Sequence, residues 1–439
     1  MPFQLDPAFA QDPAKHFDTL QIHAGLEPDP TTGAAALPIY ASAAFQFDSA
    51  PDAAAKFALS KPGNVYGRLT NTTTDAVAAR VAAIEGATGA VAVASGHAAE
   101  ILALTNIVGA GDHIVASDSL YGGTWNIFLH TLADLGVETT FVENNDIDAF
   151  VAATKENTKL WYVETIGNPL VDVADVPAIV EAANSLKEPV PVFVDNTFAT
   201  PYLYRPADDG AAVVIESLTK WIGGHGATLG GAVIDTGKFD WKKTPGKFPT
   251  LTEPDPSYHG LVFADAAPAA PFSTRVLANK LRDFGPTLSP YAAQLIGIGI
   301  ETLSLRAQRH SDNALAVAKY LESHPKVSWV RYSGLENDPS HEVASRILHN
   351  GFGGVVVFGV KGGRDAGLKV VDNVKLFTHL ANVGDAKSLI IHPASTTHSQ
   401  LTPEQLKAAH LTEDLIRLSV GIENVDDIIA DLDQALENA

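Results

Sequence analysis

Lys220 stands where an apolar run turns into a polar, glycine-rich stretch. The run Ala-Ala-Val-Val-Ile-Glu-Ser (211–217) leads through Leu218 and Thr219 to this lysine. A lysine leaving a buried strand is partly desolvated. It can then lose its proton and form a Schiff base with a carbonyl. Ser217 and Thr219 add two hydroxyls suited to phosphate oxygens. Gly223, Gly224 and Gly226 allow close backbone approach. Taken alone, a lysine is more often a solvated surface charge.

Three further features point the same way. Asp195 ends the apolar segment Pro-Val-Pro-Val-Phe-Val-Asp (189–195), so its carboxylate emerges at the same end of a sheet. It is placed either to keep a ring nitrogen protonated or to cap the turn that begins at Asn196. Ser95-Gly96-His97 lies between a strand and a helix. Backbone amides there form an anion site, although many strand–helix turns contain glycine. Tyr121 follows another strand and is placed to stack on an aromatic ring or to sit half-buried in a loop. A carbonyl, a phosphate and a pyridine nitrogen occur together in pyridoxal phosphate (PLP), which acts as an electron sink when its ring nitrogen is protonated.

These residues need a scaffold that brings strand ends together. Strands are expected at 90–94, 113–117, 138–142, 160–165, 190–195, 212–217 and 231–234, with helices such as 96–107 and 176–185 between several of them. That alternation predicts a mostly parallel sheet covered on both faces, with ligands bound beyond the carboxyl ends of its strands. Residues 1–67 read as an extended arm. Residues 68–302 read as a large domain, interrupted at about 236–285 by a Pro-, Lys- and aromatic-rich excursion. Residues 303–439 read as a smaller α+β domain. A long helical pattern, 290–323, links the two domains. Strands at 327–332, 354–360 and 416–420 follow, and a last helix at 425–436.

Composition narrows the function classes. The chain has 439 residues, a formal net charge of −21 and no cysteine. Thiolate metal sites, disulfides and a catalytic cysteine are excluded. The acidic surface argues against a nucleic-acid partner. No apolar run approaches the roughly 18 residues of a membrane span, and the start resembles no signal peptide. The expectation is a cytoplasmic enzyme without a metal.

Several motifs occur in order. They are Val65-Tyr66-Gly67-Arg68, Leu120-Tyr121-Gly122-Gly123-Thr124, Glu164-Thr165-Ile166-Gly167-Asn168-Pro169, Asp195-Asn196-Thr197, Ser217-Leu218-Thr219-Lys220 and His392-Pro393-Ala394-Ser395. By these the chain resembles the Cys/Met-metabolism PLP family over about residues 18–437. The resemblance implies the aspartate-aminotransferase-like fold (PLP fold type I). It implies Lys220 as the Schiff-base lysine, Asp195 on the pyridine nitrogen and Tyr121 on the ring, with Tyr121 a further candidate for proton transfer. Ser95, Gly96, His97, Ser217 and Thr219 would hold the phosphate. Tyr66 and Arg68 would reach it from a neighbouring subunit, in a homotetramer built as a dimer of dimers. Arg417, in Ile-Arg-Leu-Ser-Val-Gly-Ile-Glu (416–423), resembles the arginine that binds the substrate carboxylate, with Asn168 and Asn382 nearby.

Three positions depart from the family pattern: His97, Thr72 and Asn382-Val383-Gly384, the last in place of a Ser-Leu-Gly common among lyases. The excursion, with Pro254-Asp255-Pro256-Ser257-Tyr258-His259-Gly260, and the segment 382–401 are similar to the family's O-acetylhomoserine sulfhydrylases. The implied reaction is γ-replacement on O-acetylhomoserine by sulfide or methanethiol. A cystathionine γ-synthase, a γ-lyase and a catalytically silent PLP-binding protein are the alternatives.

Overall fold

The structure is a computed structural model, and it describes residues 15–26, 28–29, 31–396 and 411–439. Residues 1–14 of the expected arm and 397–401 of the segment 382–401 lie outside the described residues. Seven strands build the large sheet: β1 Gly89–Val93, β2 His113–Ser117, β3 Glu138–Val142, β4 Thr158–Glu164, β5 Val192–Asp195, β6 Val213–Glu216 and β7 Gly231–Asp235. Their order is β1-β7-β6-β5-β4-β2-β3. The pairs from β3 to β6 are parallel, and β7 runs antiparallel to both β6 and β1.

Both faces are covered, as a parallel sheet requires. Strands β2, β6 and β7 are buried at every position. Alternate residues feed two cores: Val192, Val194 and Val214 pack on one side, Phe193 and Val213 on the other. The helices Gly96–Ile107 and Val176–Ser185 and the strands at 113–117 and 138–142 fall on the residues expected. The excursion is a set of short helices, including Pro249–Thr252, Phe263–Ala266 and Pro271–Arg275. It buries Trp241, Phe248, Leu251, Phe263 and Phe272 against the second core, and those side chains hold it in place.

The helical pattern at 290–323 is not one helix. It divides into Pro290–Ile300 and Leu303–Ser323, with a turn at Glu301–Thr302. Gly297 and Gly299 weaken the end of the first helix. The carbonyl of Gly299 is then taken by the Arg306 side chain at 2.6 Å. The same carbonyl also accepts the Thr302 N–H at 3.3 Å, so a tight backbone turn and a side chain together end the helix.

The smaller sheet follows, in the order β10-β11-β12-β9-β8, from β8 Val327–Arg331, β9 Val355–Val360, β10 Thr378–His379, β11 Leu389–Ile391 and β12 Leu415–Ser419. Strands β10 and β11 were not foreseen; two and three residues are too few to show an alternation. The helix Val425–Glu437 seals this sheet with Ile428, Leu432 and Leu436. Among the described residues no helix is long and apolar enough to cross a membrane.

Candidate active site

Strands β4, β5 and β6 end side by side, and each ends in an acid: Glu164, Asp195 and Glu216. Their environments separate them. Glu216 is fully buried and faces Glu85, also fully buried. Burial pushes both carboxyls up, Glu85 to about 7, so this pair holds a proton. Glu164 is buried, and its Oε1 accepts the backbone N–H of Tyr121 at 2.6 Å. Asp195 alone is half-buried. It accepts the Thr197 N–H at 2.9 Å, and burial raises its pKa. No cation pairs with Asp195 among the described residues, so a protonated ring nitrogen fits the charge it carries.

Lys220 lies just past β6. Its Nζ donates to Asn382 Oδ1 at 2.6 Å. Burial, and then the charge of Arg417, lower its pKa to about 8, so the neutral amine is readily reached. Arg417 on β12 is buried, and burial lowers it to about 10, so it stays charged at neutral pH. Its Nη1 donates to Asn168 Oδ1 at 3.0 Å and its Nη2 to the Asn382 carbonyl at 3.5 Å. Asn382 therefore touches both cationic residues. That link spans 162 positions of sequence and could not be read from it.

The phosphate set also converges. Ser95 caps the helix Gly96–Ile107 by accepting the Ala98 N–H at 3.1 Å, which leaves the amides of Gly96 and His97 at the helix start without a partner among the described residues. A side chain at Gly96 would lie 2.8 Å from the Ser217 Cβ, so the two turns meet. Ser217 is anchored by its amide on the Thr197 hydroxyl at 2.9 Å, and the Thr219 hydroxyl bonds the Gly230 backbone. Tyr121 is 46% exposed, so its ring is available for stacking, and the His97 ring packs edge-on against it at 5.5 Å. A lysine, an anion cradle, an exposed aromatic and an unpaired half-buried acid fit PLP.

Tyr66 and Arg68 are not brought to this recess. They line a separate open depression of about 1900 Å³, with Ser257, Tyr258 and His259 of the excursion on its wall. Arg68 bonds the Arg282 carbonyl at 2.7 Å and lies over the Tyr66 ring. Glu164 and Thr197 were missed as supporting residues. Glu164 carried a usable signal, because an acid closing the apolar segment Leu-Trp-Tyr-Val-Glu is the same pattern that singled out Asp195.

Comparison with known proteins gives this site its class. The chain belongs to the Cys/Met metabolism PLP-dependent enzyme family, whose pattern matches residues 18–437. It is therefore a PLP-dependent enzyme of the α/β class. Among curated relatives, the homocysteine synthase of Schizosaccharomyces pombe is 50% identical over 97% of this chain and 99% of its own length. The O-acetyl-L-homoserine sulfhydrylase of Leptospira meyeri is 48% identical over 96% of each. A crystal structure from Campylobacter jejuni, assigned as an O-acetylhomoserine (thiol)-lyase and carrying a pyridoxyl-lysine monophosphate, superposes with a TM-score of 0.92. It is 39% identical and covers 96% of this chain and all of that one.

Proposed function

We propose that this enzyme is an O-acetylhomoserine sulfhydrylase. It exchanges the acetoxy group of O-acetyl-L-homoserine for sulfide, giving L-homocysteine and acetate in methionine biosynthesis. With methanethiol the product is methionine. The observation that carries the reading is the contact chain Lys220–Asn382–Arg417–Asn168, which puts a deprotonatable amine beside a buried, oriented guanidinium. That pairing suits a free α-amino acid. The names of the close relatives supply the ester and the thiol.

PLP, when bound, supplies an electron sink for charge that develops at the substrate Cα. Lys220 holds the cofactor and then moves protons at Cα and Cβ as general base and acid. Asp195 would pair with the pyridine nitrogen and favour its protonated form. Ser95, Gly96, His97, Ser217 and Thr219 would hold the phosphate, and Tyr121 would stack on the ring. Arg417 grips the substrate carboxylate, with Asn168 and Asn382 beside it, so that the Cα–H bond is fixed in direction. The Cγ–O bond breaks and acetate departs with its electron pair. Hydrosulfide then bonds at the same carbon, and its proton stays on the new thiol.

Tyr66 and Arg68 complete the phosphate site of a neighbouring subunit, in a tetramer of two dimers. The exposed Tyr291, Leu295 and Ile298 on the helix Pro290–Ile300 support burial between copies. The enzyme works in the cytoplasm. Product analysis tests the activity. Homocysteine and acetate from O-acetylhomoserine plus sulfide support it. Cystathionine formed from cysteine, or 2-oxobutanoate from methionine, as the faster reaction assigns the chain to a neighbouring activity of the family.

A further inference from the structure

The helix Leu303–Ser323 buries five polar side chains, and the three largest of them, Arg306, His310 and Asn313, are 5%, 1% and 4% exposed. Their spacing of four and three puts them on one stripe. A core-facing stripe is normally apolar, and buried polar groups are costly unless each finds partners. Arg306 pairs with no carboxylate among the described residues. Its donors go to the Trp221 carbonyl at 2.6 Å, the Ile222 carbonyl at 3.2 Å, the Gly299 carbonyl at 2.6 Å and the Thr302 hydroxyl at 3.2 Å. Trp221 and Ile222 are the two residues after Lys220. A side chain at Gly224 would fall 1.9 Å from Arg306 Nη1, so that turn is wrapped directly around the guanidinium.

The other end of the stripe grips the other half of the site. His310 Nδ1 lies 2.6 Å from the Val420 carbonyl, which makes Nδ1–H the donor. Burial lowers the ring to about 4, so it stays neutral at physiological pH. Asn313 Nδ2 donates to the Gly421 and Glu423 carbonyls, each at 2.9 Å. Val420 is three residues beyond Arg417, on the same chain run out of β12. The Trp221 ring ties the two ends together, because it packs edge-on against His310 at 6.3 Å. The loop of Asn382 joins the same knot. A side chain at Gly384 would lie 2.6 Å from the Trp221 amide nitrogen, and the Ala386 N–H donates to the Gly224 carbonyl at 2.9 Å.

We propose that Arg306, His310 and Asn313 are positioning residues that fix the loop of Lys220 against the strand of Arg417, and so set the alignment of the substrate over the cofactor. This rests on the reading that Lys220 holds PLP and Arg417 the substrate carboxylate. The stripe uses backbone carbonyls as its anchor points, so it constrains main chain on both sides of the site. A network that served folding alone would alter stability without altering alignment.

The test uses the PLP-loaded enzyme. His310→Phe keeps a ring against Trp221 and removes the donor, whereas His310→Asn restores a donor near the Nδ1 position. His310→Phe is expected to raise KM for O-acetylhomoserine about tenfold and to lower kcat, with KM for sulfide within about twofold of wild type. His310→Asn recovers most of that loss. Arg306→Lys, at the Lys220 end, changes the visible circular dichroism of bound PLP, since one ammonium cannot hold three carbonyls in a planar fork. Should His310→Phe fail to fold, Asn313→Ala carries the same expected split in KM. Wild-type constants in these variants below their melting temperature, or a loss that His310→Asn does not rescue, overturn the proposal. Arg417→Lys is measured alongside. If it too leaves KM for the amino acid normal, the assignment of Arg417 has failed; if only the stripe variants are normal, the stripe alone has failed.

Discussion

Two regions of the molecule carry residues expected to meet one cofactor, and they differ in how they are built. The recess of Lys220, Asp195 and Arg417 is assembled within one chain, by strand ends of the large sheet and one strand of the small sheet. Lys220, Asn382, Arg417 and Asn168 find one another at hydrogen-bond distance, while Asp195 bonds Thr197. The depression of Tyr66 and Arg68 is wide and open, and its arginine is held by the Arg282 backbone. Tyr66 is 45% exposed there. Residues packed together inside one chain can have their pKa values tuned by burial, as Lys220 does. A surface left open leaves its aromatic and its guanidinium available to a second molecule.

The largest expected effect removes the centre of the first region. Lys220→Ala should lower turnover at least about a thousandfold, because it deletes both the cofactor link and the base. The fold should persist, as read by far-ultraviolet circular dichroism. Borohydride should no longer fix PLP to the chain. Retained turnover would place the chemistry elsewhere.

Arg417→Lys probes the same region with a smaller change. A point charge replaces a planar fork, so KM for O-acetylhomoserine should rise about tenfold or more, with kcat also reduced. The visible spectrum of bound PLP should stay close to wild type, and KM for sulfide should change less. A normal KM for the amino acid would move the carboxylate to Asn168 and Asn382.

Mixing subunits tests the contrast itself. Arg68→Ala and Lys220→Ala homo-oligomers are each impaired if the two regions belong to one site. After exchange, a hybrid dimer holds one wild-type site, so about a quarter of all sites should regain activity in an equal mixture. No recovery after confirmed exchange would mean that the depression and the recess act separately.

The two regions were also unequally legible in the sequence. Lys220 and Asp195 could be read because Asp195 closes an apolar strand and Lys220 follows one at the sheet's ligand end, and strand position follows from β-branched runs. Glu164 and Glu216 close strands in the same way, yet composition does not say which acid faces the opening and which is sealed behind it. Only the packed structure separates the half-buried Asp195 from the fully buried Glu216. The contact of Asn382 with Lys220 joins two domains and left no local trace. At the break at Glu301–Thr302, Gly297 and Gly299 were legible, but the contact of the Arg306 side chain with the Gly299 carbonyl was not. The order of the motifs pointed to the family. The resemblance also implied that Tyr66 and Arg68 reach a neighbouring subunit's site rather than the Lys220 of their own chain.

The smallest effect concerns the proton on Lys220. Burial and the neighbouring guanidinium both disfavour the ammonium form, and its pKa falls to about 8. In the cofactor-free enzyme the neutral amine is the nucleophile that captures PLP. The capture rate, followed by visible absorbance, should therefore rise with pH and level off above about 8. The sign for stability is the same. Between about 8 and the usual lysine range the unfolded chain holds a proton that the folded chain has released, so cofactor-free stability from this group grows as pH rises through that window. Arg417→Gln removes the nearby positive charge while leaving the burial. The Lys220 pKa should then move up and carry the capture midpoint above that of wild type. A midpoint unmoved by Arg417→Gln would mean that burial alone sets the proton affinity of Lys220, and that the two cationic residues, though joined through Asn382, do not sense each other electrostatically.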